Sequence, residues 1–320
     1  MNSRVRDLAD DRVNEDFADL FSQSAEYKDL TLKDFFAAAP FFLAEFYFYY
    51  ILLKLTGYFS SKSDPFFPVK QSELHKLSEK EIDFEIEFSN SKKLRELIEN
   101  TVTVNVQDLS RINKIQNHLS GFVIDDSDII EKKLKTIHSR ADIFCDNAGA
   151  ELLQDLLRAL IIIRNTNARV VLHLKPVPIF VSDATFEDFY NLLEHIPASI
   201  KKSIESYLKK DMLVRQTHKF WANPVNFRDM PEAYNADLNK SELLVIKGDL
   251  NYRRTVEDRY WKNTADINEL TRYSSPEDAV LRVLKSDVLV SVSDEQYKKY
   301  MDLDNQFKTD GRWGLIQKFH

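Results

Sequence analysis

The sequence predicts an α/β fold: a mostly parallel sheet with helices on both faces, preceded by an all-helical amino-terminal region. Three observations predict it. Four short apolar runs appear only after residue 140, helical stretches separate them, and the first 135 residues hold charged or aromatic helix-like segments instead. The expected division is a helical region over 1–135 and an α/β catalytic domain over 136–320. With 320 residues, 43% of them apolar, the chain has enough material for a large buried core.

In chain order, Asp7 to Tyr58 reads mostly as helix, with the aromatic stretch Phe41–Tyr50 packed inside. Ser60–Pro68 is a break, because serines, Asp64 and two prolines cluster there. Residues 70–138 are highly charged and suggest amphipathic helices, such as KKLRELIENT and IIEKKLKTIHSR. The apolar runs that follow are Ala141–Cys145, Arg169–Lys175, Leu243–Ile246 and Asp287–Val292. β-Branched residues dominate the second and fourth, as expected for strands buried on both faces. Glu151–Arg164 and Phe186–Leu208 are the intervening helices.

Charge and cysteine content narrow the function classes. A net charge of −7 argues against a general nucleic-acid binder, though not against one basic pocket for a single phosphate. Cys145 is the only cysteine, which excludes an intramolecular disulfide and suits a reducing compartment. The first residues, MNSRVRDLADDRVNED, lack the apolar core of a signal peptide. The greasiest run, Phe41 to Leu53, is interrupted by Glu45 and falls short of the ~20 apolar residues of a membrane span. The expectation is a soluble, cytoplasmic protein with no nucleic-acid or membrane partner.

In open α/β sheets, ligands bind beyond the carboxyl ends of the strands, so the tails of the apolar runs carry the chemistry. The first tail is Asp146-Asn147-Ala148-Gly149-Ala150-Glu151, continuing to Asp155. Asn147, Glu151 and Asp155 are four apart and share a helix face if the helix starts early. A carboxylate beside an amide oxygen suits Mg²⁺ or Mn²⁺; the same pair also serves as an ordinary helix cap. In the second tail, two prolines stiffen the path from Lys175 to Asp183, which itself reads as a ligand or a cap. His173 reads as a hydrogen-bonded core histidine. The third tail, Lys247-Gly248-Asp249-Leu250-Asn251-Tyr252-Arg253-Arg254, sets an arginine fork and a glycine near a carboxylate, as a phosphate site requires. Arg282-Val283-Leu284-Lys285 adds two cations just ahead of the fourth run. Together these tails describe a metal-plus-phosphate site.

The blocks DNAGAELLQDLL, HLKPVPIFVSDAT and LLVIKGDLNYRR resemble the signatures of the damage-control phosphatase family, in its eukaryotic acidic-residue branch. PFFLAEFYFYYILL with Asp64-Pro65-Phe66, His218-Lys219-Phe220-Trp221 and GRWGLIQKF agree with it. The resemblance runs from about residue 35 onward and is strongest after 140. It implies a divalent metal (Mn²⁺, Mg²⁺, Co²⁺ or Ni²⁺) held by Asp146, Asn147 and Asp183. It also implies substrate contacts from Glu151, Asp249, Leu250, Asn251, Tyr252, Arg253 and Lys285, with Asp146, Asp183 and Asp249 as the catalytic carboxylates. The implied substrate is a small phosphorylated metabolite such as fructose 1-phosphate or fructose 6-phosphate. Two other readings are a catalytically silent phosphate-binding relative and an S-adenosylmethionine-dependent carboxyl methyltransferase. No GxGxxG loop supports the methyltransferase reading. The family's Arg-Thr-x-Lys motif has Val283 in place of threonine, so a hydroxyl is lost where both cations remain.

Overall fold

The computed structural model describes residues 4–5, 15–79, 95, 98–99, 102–103, 119–274 and 276–320. Its centre is a seven-stranded sheet: β1 (Gly121–Asp125), β2 (Arg140–Phe144), β3 (Arg169–Leu174), β4 (Leu213–Thr217), β5 (Leu243–Lys247), β6 (Glu277–Val283) and β7 (Trp313–Phe319). The spatial order is β1-β7-β6-β5-β2-β3-β4. Every neighbouring pair is parallel except β6 with β7.

Alternation along the strands divides the core. Ala141 and Ile143 of β2, and Cys145 just after it, face one hydrophobic cluster, with the helices Ala150–Thr166, Phe186–Leu193 and Ala198–Lys209. Phe144 faces the other cluster, with Trp221, Tyr234 and Tyr252. Both faces are therefore covered, which is why the runs of β2, β3 and β5 read as nearly continuous apolar segments. Pro197 separates the helices Phe186–Leu193 and Ala198–Lys209, where the sequence suggests one stretch.

Three expectations change. Asp287–Val292 is not a strand: Ser291 takes a left-handed φ of 59°, and the Val290 amide donates to the Tyr252 hydroxyl rather than to a neighbouring strand. Val288, Leu289, Val290 and Val292 are nonetheless buried, so the run is apolar for packing and not for pairing. The strand lies just earlier, as β6, where buried Asp278 and Arg282 disguise it. The sheet also begins ahead of residue 136, since β1 pairs with β7. As an edge strand with only Val123 fully buried, β1 lacks a strong apolar signal. The KKLRELIENT segment lies mostly outside the described residues, whereas Ser127–Leu134 does form a helix.

The amino-terminal helices form a third, aromatic-rich cluster around Phe35, Phe46, Tyr47 and Tyr50. It packs onto the β3 tail through Val177, Ile179 and Phe180, with the Phe180 ring 4.9 Å from Phe46 and 4.8 Å from Tyr49. The helix Phe41–Leu55 thereby becomes a wall over the carboxyl ends of the strands. Among the described residues, no helix is long and apolar enough to cross a membrane.

Candidate active site

After β2 the chain moves to β3 and β4 on one side, then returns to β5 on the other. The crevice between the ends of β2 and β5 is thus the switch point of the sheet, where such folds bind ligands. The β2 and β3 tails remain joined past the strands. The Ala184 amide donates to the Asp146 carbonyl (3.0 Å), the Ala148 amide donates to the Ser182 carbonyl (2.7 Å), and Asn147 forms an antiparallel bridge with Asp183. Asp146, Asn147 and Asp183 are drawn together by these backbone bonds. At β5, Gly248 adopts a φ of 85°, and a Cβ there would lie 1.8 Å from the Asp146 Oδ2. Only glycine lets the two tails approach so closely.

The side chains around Asn147 fix its amide. Nδ2 donates to Glu151 Oε2 (2.8 Å), and Oδ1 accepts from the Ser182 hydroxyl (2.7 Å). Glu151 is held in turn by the buried Lys247 ammonium (2.6 Å), which also binds Asp155 (2.6 Å), and Asp155 binds Arg158 (3.0 Å). The helix does not start early enough to include Asn147: it begins at Ala150, so Asn147 meets Glu151 only through the side-chain bond. Glu151 and Asp155, which do share a helix face, are spent on Lys247 beneath the cleft rather than in its wall.

Asp146 has a different environment. Its nearest cation is Lys175, 3.9 Å away, and no donor among the described residues is hydrogen-bonded to its carboxylate. Burial pushes its carboxyl up to about 7; Lys175 pulls against that, while Glu151 and Asp183 add to it. Asp183 is raised as well, mainly by burial, and the Phe180 amide holds its Oδ2 at 2.9 Å. The set fits a divalent cation: two crowded carboxylates and an amide oxygen whose second lone pair is open. Among the described residues no group of three or more His, Cys, Asp or Glu could hold a metal, so any site here depends on the asparagine.

The β5 and β6 side is rich in cations. Asp249 Oδ1 meets Arg282 Nη1 (3.1 Å), the Ser286 hydroxyl (3.1 Å) and the Lys285 amide (3.3 Å). Arg282 stacks over Tyr252, 3.9 Å from the ring centroid. Arg253 donates to Asp258 through Nε and Nη2 (2.8 and 2.9 Å) and to Glu45 through Nη1 (3.1 Å). Val283 is fully buried among Leu281, Ala279 and Ile316, so the missing hydroxyl concerns the core and not the cleft.

A cleft of about 950 Å³ joins these parts. Asp146, Asn147, Asp183, Asp249, Leu250, Arg253 and Lys285 line it; Glu151, Asn251 and Tyr252 do not. Asn251 and Tyr252 are fully buried, with Asn251 Nδ2 donating to the Lys247 carbonyl at 2.7 Å, which suits shaping of the loop. Sequence reasoning missed Glu45, which reaches the cleft from the aromatic helix, and its only signal was a lone carboxylate in a greasy run. Of the expected arginine fork only Arg253 reaches the cleft: Arg254 is enclosed by Phe42, Phe46, Phe220 and Trp221, where burial lowers the guanidinium to about 9. His173 is the core residue expected, bonded to Asp142 and Tyr234 at 2.6 Å each.

A family model described as the damage-control phosphatase ARMT1-like domain matches residues 2–300, starting well before the signature blocks that begin near residue 35. The chain is 32% identical to damage-control phosphatase ARMT1 of Danio rerio over 234 residues, which is 67% of this chain and 52% of that protein. Against the Mus musculus protein of the same name it is 31% identical over 225 residues, 64% of this chain and 51% of the other. The chain spans about half the length of the curated relatives it matches. A crystal structure of a DUF89 family protein from Pyrococcus horikoshii shares the fold, with a TM-score of 0.52 and 14% identity over 98% of this chain and 93% of that one.

Proposed function

The chain belongs to the damage-control phosphatase ARMT1-like family, and we propose that its cleft hydrolyses phosphomonoesters of small metabolites with a divalent cation bound. The observation that carries this reading is the Asp146 carboxylate at the sheet's switch point, crowded by Asp183 and with no hydrogen-bond donor among the described residues. Asp146, Asp183 and Asp249, three of the carboxylates that line the cleft, repel a phosphate dianion unless a cation intervenes. Asp146, Asn147 and Asp183 are the residues to hold Mn²⁺, Mg²⁺, Co²⁺ or Ni²⁺. Bound there, such an ion supplies the charge that polarises a phosphoryl oxygen.

The other residues divide the work. Lys285 and Arg253 neutralise the remaining phosphoryl oxygens as charge develops. Asp249 offers its Oδ2 for proton transfer, since Oδ1 accepts from the Ser286 hydroxyl and the Lys285 amide and faces the Arg282 guanidinium. Leu250 and the aromatic wall of the helix Phe41–Leu55 exclude water from the organic part of the substrate. Sugar phosphates of the fructose 1-phosphate and fructose 6-phosphate type are the substrate class. The test is phosphate release from a panel of phosphosugars, with EDTA or with each of the four metals. Release that requires metal supports the proposal; a purified, folded chain that releases none under any condition sinks it.

A further inference from the structure

The β3 tail is anchored from an unexpected direction. Lys70, on the helix Phe67–Glu79, is 1% exposed, and its ammonium makes three short bonds. One goes to the Asp183 main-chain carbonyl (2.7 Å), one to Asp188 Oδ2 (2.8 Å) and one to Asp64 Oδ2 (2.8 Å). A buried ammonium has three donors, and all three are used. Asp188 caps the helix Phe186–Leu193 through the Thr185 amide and hydroxyl, so Lys70 grips the segment 183–188 at both ends. Asp64 is itself fixed by the Phe66 amide at 2.7 Å.

We infer that Lys70 is a positioning residue for the Asp183 carboxylate, one that ties the amino-terminal helices to the cation site; this rests on the reading of Asp183 as a metal ligand. A simple structural role explains one ion pair with Asp188. It does not explain a third bond spent on the carbonyl of Asp183 itself. With that carbonyl held by Lys70 and Oδ2 held by Phe180, the backbone and the side chain of Asp183 are each restrained. Partners of this kind behind a ligand commonly change metal affinity by about 10–100-fold.

The test compares Lys70→Met/Asp64→Asn, Lys70→Arg and Asp64→Asn with the parent. The double variant removes one carboxylate along with the ammonium, which limits the misfolding that an unpaired buried acid causes. Two readouts are taken on chains whose circular dichroism matches the parent: Mn²⁺ affinity by calorimetry, and amide hydrogen exchange over 180–186 without metal. The double variant should bind Mn²⁺ about 10–100-fold more weakly and exchange faster over 180–186. Asp64→Asn, which keeps the bond from Lys70 to Asp183, should stay within about threefold of the parent, and Lys70→Arg should recover part of the loss. Parental affinity and parental exchange in the double variant overturn the inference. If the parent binds no Mn²⁺, the cation site fails, and the exchange measurement still decides whether Lys70 clamps the segment.

Discussion

The two halves of the cleft carry carboxylates in opposite circumstances. On the β2 and β3 side, Asp146 has one cation at 3.9 Å and no hydrogen-bond donor among the described residues. On the β5 and β6 side, Asp249 has Arg282, Ser286 and the Lys285 amide, and Asp258 has Arg253. One half is short of positive charge and the other is supplied with it. A phosphate ester and a divalent cation together are the pair of charges that such a division accommodates, the cation against Asp146 and the anion toward Lys285.

The sharpest way to break this comparison is Asp146→Asn. Neutralising the bare carboxylate should abolish stabilisation of the fold by Mn²⁺ and lower metal-dependent phosphatase turnover by about 10²–10⁴-fold. Thermal melts with and without Mn²⁺, alongside phosphate release, read both effects. A melting response equal to the parent's would remove Asp146 from the site.

The opposite half is tested by Lys285→Ala, which should lower turnover by about 100-fold while leaving Mn²⁺ affinity unchanged. Arg253→Ala should cost stability as well, about 1–3 kcal/mol, because Glu45 and Asp258 lose their shared partner. Chemical denaturation separates the two variants: a loss of stability in the first, or none in the second, contradicts their assigned roles.

The seam between the halves is Gly248. Gly248→Ala places a methyl against the Asp146 carboxylate and forces a side chain into a left-handed backbone. A stability loss of about 1–3 kcal/mol is expected. Weaker Mn²⁺ binding should accompany it, since Asp146 is the group displaced. Unaltered calorimetric affinity would show that the close approach is incidental.

A last test compares a cleft acid with a scaffold acid. Asp278, buried at the start of β6, is pushed up to about 8 by burial, as Asp146 is pushed up to about 7. Both folded values lie above the unfolded carboxyl near ~3.9, so folding stability should fall as pH rises from about 4 through 7–8. Added Mn²⁺ should remove the part of this slope that belongs to Asp146 and leave that of Asp278. Asp278→Asn should remove the rest. Melts across pH 5–8 for both chains, with and without metal, resolve the two contributions; a slope indifferent to both changes contradicts the assignment.

Much of this was legible in the sequence, for identifiable reasons. β2, β3 and β5 announce themselves because both of their faces are buried, and their tails gave Asp146, Asn147, Asp183 and Asp249 as a set. The edge strands β1 and β4 and the polar-bearing β6 do not announce themselves. Missing β6 had a cost: once it is a strand, alternation sends Arg282 to the face of Tyr252 and Val283 to the opposite core. The threonine-to-valine departure then reads as packing rather than as chemistry. The buried lysines were invisible for another reason. Lys70 and Asp183 lie 113 positions apart, and no local period records a bond made across that distance.

The position of β7 sets a temporal order on the molecule. Residues 313–319 lie between β1 and β6, so β1 has no sheet neighbour until that strand arrives. Once β6 has left the ribosome, the strands β2 to β6 have all their mutual partners and can assemble while synthesis continues. β1 emerges earlier than any of them and must wait for its own, which in the pairing of Gly121 with Trp313 lies 192 positions further along the chain. During that interval the backbone donors and acceptors of β1 have no sheet partner of their own and are open to pairing with another chain.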